Sequence, residues 1–161
     1  MQYKRAKFFF DYKKGKVHCI PYNDRIDYYC FIKKYREEGY NQLIITSQIM
    51  ISLIKYLVLE KNLTVYAIEF MEDNIDLDEK IKNLLSKLKA DLTLLPYFID
   101  ELRFLEDKSS IEIKRISFKG RDSDRNAINL YIQVNGVLGI NTEMYDSISS
   151  LLVDFLVKEW C

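Results

Sequence analysis

The chain holds one histidine, His18, and three cysteines, Cys19, Cys30 and Cys161. A histidine next to a thiol is the smallest set that supports nucleophilic catalysis, because the imidazole takes the thiol proton. His18 and Cys19, however, are neighbours in Val17 to Tyr22, a segment that reads as a strand. Adjacent strand residues point to opposite faces, so these two side chains cannot form the couple. His18 with Cys30 would depend on folding alone, and no spacing supports it. An odd cysteine count without a CxxC pair carries neither a disulfide framework nor a zinc signature.

Carboxylate chemistry is also thinly supported. Glu112-Ile113-Lys114 places Glu-x-Lys on an expected strand, as restriction-type nucleases do. Those sites need a further acid on a neighbouring strand to hold Mg²⁺. Here Asp107 is too close, and Asp91 and Asp100 fall on expected helices. Residues 69–79 contain Glu69, Glu72, Asp73, Asp76, Asp78 and Glu79 without the spacing or central glycine of an EF-hand. They read as helix caps and solvated surface, and as an acidic face for a basic partner. No GxxxxGK[ST] or GxGxxG loop is present. The expectation is therefore no catalytic set, no cofactor and no metal ligands.

Basic residues are more suggestive. Lys4, Arg5, Lys7, Lys13, Lys14 and Lys16 interleave with Tyr3, Phe8, Phe9, Phe10 and Tyr12. Lysines neutralise phosphates and aromatic rings stack bases, so this segment is a candidate nucleic-acid contact. The competing reading makes the rings core and leaves the lysines to solvate a turn. Arg121 and Arg125, in the loop 119–126, are candidate anion contacts, unless they pair with Asp122 and Asp124 beside them. Net charge is zero, but residues 1–36 carry ten Lys/Arg against three Asp/Glu, and residues 37–110 carry eight against fourteen. The two regions either compensate on folding or mark distinct binding faces.

The elements that must position these residues follow from periodicity. Tyr3–Tyr12 and Val17–Tyr22 flank Gly15 as an N-terminal hairpin. Asp24 is placed to cap a helix over residues 25–38, which Gly39 ends. Leu43–Thr46 reads as a short buried strand. Ser47 is placed to cap a helix whose apolar stripe is Ile49, Met50, Leu53, Ile54, Leu57 and Val58. Thr64–Met71 follows as a strand, with Val65, Ala67 and Glu69 on one face and Tyr66, Ile68 and Phe70 on the other. Strand, helix and strand would then make a crossover. Two helices come next, one capped by Asp76 and one starting near Pro96. Strands are expected at 111–118, 127–134 and 137–140, the last two joined by Asn135-Gly136. A terminal amphipathic helix capped by Thr142 carries Phe155 and Trp160 on its apolar stripe.

This order predicts an α+β fold: a mixed sheet with an N-terminal β-hairpin, one βαβ-like crossover, two central helices, C-terminal β-hairpins and the terminal helix. One globular domain over residues 1–161 is expected. Leu43–Leu59 is too short and too interrupted to cross a membrane, and the N-terminus lacks the apolar run of a signal peptide. The location expected is cytoplasmic, with no membrane partner. Twelve Tyr, nine Phe and one Trp are more rings than one small core readily hides. They point to a contact with another protein or a second copy, for which Trp160 and Phe155 are the candidate interface. The function expected is a non-catalytic protein-binding or accessory subunit. A bacterial or phage conflict or defence system is its expected setting, as an immunity protein, regulator or complex subunit. A nucleic-acid-binding module built on the basic hairpin is the first alternative, and an enzyme with a dispersed site is the second.

Overall fold

The computed structural model describes residues 2–160, with the side chain of Trp160 outside the described set. The chain divides into two compact units. One comprises Met1–Ile45 with Asn135–Cys161, and the other comprises Thr46–Val134. The α+β class holds, with the N-terminal hairpin, the two central helices and the terminal helix in place.

In the first unit, β1 (Tyr3–Asp11) pairs antiparallel with β2 (Lys16–Tyr22) on one side and with β7 (Val137–Asn141) on the other. Strand β1 is thus internal, and Ala6 to Phe10 are all buried. Pairing of Phe9 with His18, and of Phe8 with Cys19, puts each pair on one face of the hairpin. Helix α1 (Tyr28–Glu37) covers the Phe9 face, packing Phe31 and Ile32 against Phe9, Ile20 and Tyr22. Helix α5 (Tyr145–Trp160) sits on the Cys19 face through Tyr145.

Helix α1 starts three residues later than expected. Asp27 caps it by accepting from the Tyr29 amide at 2.8 Å, while Asp24 is engaged by Arg5 at 2.7 Å. The expected strand at 43–46 does not form. Strand β3 is only Asn41–Gln42, paired antiparallel with β1. Leu43 and Ile45 are buried, the Leu43 amide donates to the Phe8 carbonyl at 3.2 Å, and no strand is formed over residues 43–46.

The second unit pairs β4 (Thr64–Phe70), β5 (Ile113–Arg121) and β6 (Ala127–Gln133) in that order. Its helices are α2 (Ser47–Lys61), α3 (Ile75–Ala90) and α4 (Leu95–Ser109). The described strand pairings are antiparallel, so the expected crossover between parallel neighbours is absent and the sheet is not mixed. Thr46, not Ser47, caps α2 by accepting from the Ile49 amide. Ser47 is instead buried and accepts from the Ile113 amide at 2.9 Å, which ties α2 to β5. Likewise Asn74, not Asp76, caps α3. Thr46 lies one residue and Asn74 two residues before the expected cap, and each has extended backbone and a side-chain oxygen that accepts from a first-turn amide.

Strand β4 does not alternate as expected. The register shifts between Val65 and Ala67, so Tyr66 has no partner on β5, and Val65, Ile68 and Phe70 are the buried set. A bulge of this kind turns the strand and re-aims the side chains after it.

One glycine is fixed by close backbone approach. Gly136 has φ +80°, and a Cβ there would sit on the Leu43 carbonyl oxygen and 3.4 Å from the Phe8 carbonyl oxygen. Gly15 has φ +62° but open space around it. We therefore expect Gly136→Ala to cost at least about 2 kcal/mol and Gly15→Ala about 1 kcal/mol. Urea denaturation of the two variants checks this, and equal costs would show that backbone approach at residue 136 adds nothing.

Candidate functional site

The histidine and the two described cysteines are all in the first unit, and strand alternation puts His18 and Cys19 on opposite faces. His18 lies on the α1 face with its ring 5.0 Å from that of Tyr40, and its buried Nε2 has no hydrogen-bond partner. Cys19 lies on the opposite face, 3.6 Å from the Tyr145 hydroxyl. Burial pushes the Cys19 thiol up to about 11, outweighing the Tyr145 hydrogen bond and the nearby Lys4 ammonium. Burial raises the Tyr145 phenol as well. Such a thiol is not a nucleophile near neutral pH. Cys30 is exposed on α1.

Of the basic candidates, Lys7 is corrected. It is fully buried, its Nζ donates to the Asn135 carbonyl, and it lies 5.7 Å from the Tyr28 ring centroid and 6.0 Å from that of Phe9. It is therefore no surface contact for phosphate. Sequence pattern missed this because the Lys7 position alternates with Arg5 and Phe9, and only the tertiary cover of α1 decides which members of that face are sealed. Burial lowers the Lys7 ammonium to about 8. Lys4 lies 4.2 Å above the Tyr145 ring, and Arg5 is paired with Asp24. Lys13, Lys14 and Lys16 are exposed around the turn beside Tyr12. Phe8, Phe9 and Phe10 are core, so three of the five rings expected to stack bases face inward, while Tyr3 and Tyr12 are exposed.

The loop after β5 closes on itself. Arg121 donates to the Arg125 carbonyl at 2.9 Å, and Asp122 accepts from the backbone amides of Asp124 and Asn126. Its hydrogen bonds from Asn126 and Asp124 hold the Asp122 carboxyl below its ordinary range. Glu112 is exposed just ahead of β5, and no group of three His, Cys, Asp or Glu side chains able to hold a metal occurs among the described residues. Of the candidate interface, Phe155 is half-buried on α5 and makes contacts of its own, while the Trp160 side chain lies outside the described residues.

The aromatic richness is largely accounted for inside the first unit. Phe9, Phe31, Tyr35 and Tyr40 pack with ring centroids 5.1–6.5 Å apart, and Tyr22 joins them at 5.0 Å from Phe31. These offset and edge contacts contribute beyond area burial. The rings were expected to be surplus to the core, and many of them are the core.

Exposed apolar surface occurs in the second unit, at residues the sequence did not single out. A groove of about 430 Å³ runs between the C-terminal half of α2 and the start of α4. Leu59 and Leu92 form its lips, each 62% exposed, and Pro96 and Ile99 line it. Lys55, Asp100 and Arg103 stand at its rim. The one sequence signal for it is Leu59, which is apolar at a position outside the buried stripe of α2.

Comparison of the chain with protein-family models, curated proteins and solved structures returns no match. No described helix is long and apolar enough to cross a membrane.

Two outcomes follow for the first unit. In a Cys161→Ser background, Cys19 should react with a disulfide reagent at pH 8 at least about 100-fold more slowly than Cys30, since burial that pushes the Cys19 thiol up to about 11 removes about 99% of its thiolate. Comparable rates would contradict its burial. For Lys7, both folded and unfolded chains are charged below pH 8, and the burial penalty is then fully present. Above pH 8 the folded chain releases the proton that the unfolded chain keeps, so stability rises with pH. Wild-type stability minus that of Lys7→Met should grow by about 2 kcal/mol between pH 7 and 9.5. Taking the difference cancels the opposing contributions of Cys19 and the tyrosines, and a flat difference would show that Lys7 titrates normally.

Proposed function

We propose that the protein is a non-catalytic binding subunit that holds a protein partner in the α2–α4 groove. The observation that carries this reading is that Leu59 and Leu92 are both exposed and both line one groove with Leu95, Pro96 and Ile99. Single exposed apolar residues are ordinary, but leucines that flank a concave apolar floor and are rimmed by charge resemble a helix-in-groove site. An amphipathic helix fits such a groove, with apolar residues at i, i+3 or i+4 and i+7 against Leu59, Leu92 and Ile99. Lys55 and Arg103 favour acidic residues on its flanks, and Asp100 opposes them only in part. The residue usage, rich in Lys, Ile, Asn, Tyr and Phe, supports a low-GC bacterial or phage host for the complex.

A photo-cross-linker introduced at residue 59 or 92 in the native host should join the chain to one discrete protein. The double variant Leu59→Glu, Leu92→Glu should weaken binding of that protein at least about tenfold, as anchor residues do. Its unfolding free energy should stay within about 0.5 kcal/mol of wild type, because both positions are exposed. No discrete cross-link, or undiminished affinity in the double variant, would remove this reading.

A further inference from the structure

A second surface in the same unit has a different chemistry. Strand β4 pairs with β5 on one side only, so its other edge presents unpaired backbone groups. Helix α3 returns beside that edge, and two cavities of about 410 and 330 Å³ lie between them. The cavities share Tyr66, Lys82 and Leu85 and together are lined by all seven residues of β4, so they form one groove along the whole edge. Its wall on the α3 side includes buried Ile81 and Leu85.

Charge along this groove is sorted by position. At the Phe70 end stand Glu69, Glu72, Asp73 and Asp78. Lys114 also lies at that end, exposed by its own register shift on β5, and Arg115 pairs with Glu69 at 3.6 Å. At the Thr64 end stand Lys89 and Lys119, with Lys82 midway and shared by both cavities, and no carboxylate lines that end. The sorting follows from the chain: α3 runs back along β4, which sets Asp78 beside the end of the strand and Lys89 beside its start.

We propose that this groove binds an extended peptide segment of a partner by strand addition. The segment runs antiparallel to β4, with basic residues in its N-terminal half and acidic residues, or its terminal carboxylate, in its C-terminal half. Antiparallel pairing is the more stable geometry, and in that direction the N-terminal half meets the carboxylates and the C-terminal half meets the lysines. An edge strand flanked by a helix wall leaves room for one added strand, with main-chain hydrogen bonds on one side and alternate side chains against the helix. Seven residues of β4 correspond to roughly 23 Å of extended chain. The bulge at Tyr66 argues against a second copy of β4 as the occupant, because edge-to-edge pairing of two sheets needs a regular edge on both.

The test uses the full chain and two labelled nine-residue peptides of equal composition. Each has a Val-Thr-Val centre, with Lys and Arg at the N-terminal end and Glu and Asp at the C-terminal end in one, and the order of charges exchanged in the other. Fluorescence anisotropy at low salt should show the first binding at least tenfold tighter than the second. Amide hydrogen exchange should show new protection within Thr64–Phe70. The exposed double variant Lys82→Glu, Lys89→Glu should lose the preference while its circular dichroism is unchanged. Equal binding of both peptides, no saturation at millimolar peptide, or protection that arises from protein concentration alone would each overturn the proposal. So would a dT oligonucleotide that occupies the groove more tightly than either peptide.

Discussion

Strand β1 has no solvent face across its centre, and much of the first unit follows from that constraint. With β2 and β7 on its flanks, α1 over one face and Tyr145 of α5 against the other, residues Ala6 to Phe10 must all be accommodated inside. Four of the five are apolar and contribute the usual ~25 cal/mol per Å² buried. The fifth is Lys7, whose ammonium reaches the Asn135 carbonyl and lies near two aromatic rings instead of reaching water. That carbonyl belongs to the turn whose Gly136 passes against the backbone of Leu43 and Phe8. A buried lysine, a left-handed glycine and a strand sealed on both sides are thus one arrangement.

The same constraint redistributes the aromatic side chains. A strand sealed on both faces needs large partners on each, and α1 supplies Phe31 and Tyr35 where a smaller helix face would leave voids. Aromatic content alone cannot separate an interface from such a core, because both bury area with little rotamer entropy lost. Exposure separates them. In the first unit the rings of the α1 cluster are buried or half-buried, and Tyr29, 82% exposed, turns away from it. In the second unit two exposed apolar residues, Leu59 and Leu92, line one groove between α2 and α4.

Much of the fold was legible in the sequence because it rests on local rules. The apolar stripe of α2, the glycine at the hairpin turn, the proline near the start of α4 and the alternation of β6 each state their element without tertiary help. Caps were displaced by one to three residues because Asp24 and Ser47 were drawn into tertiary bonds, with Arg5 and the Ile113 amide. The faces of β4 were misread because a bulge is set by pairing with β5, which leaves no period in β4 itself. The sites were less legible for a related reason. Leu59 and Leu92 are separated by 33 positions, and neither is unusual alone. The acidic run after β4 was visible as a basic-partner face, but its alignment opposite Lys89 and Lys119 exists only once α3 folds back.

The two grooves of the second unit also differ in how they would hold a ligand. In the α2–α4 groove the contact is mainly apolar, so affinity there depends on area removed from water and is largely insensitive to salt. Along β4 the contact is polar backbone plus exposed charge. Each such ion pair is worth little alone and is screened over about 8–10 Å in physiological salt. Strength on that edge must come from main-chain hydrogen bonds, while the sorted charges choose direction and partner. If both grooves bind as proposed, one would supply grip and the other orientation, a division of labour suited to a subunit that positions a partner. A linked partner engaging both would gain through effective concentration with neither site needing to bind tightly by itself.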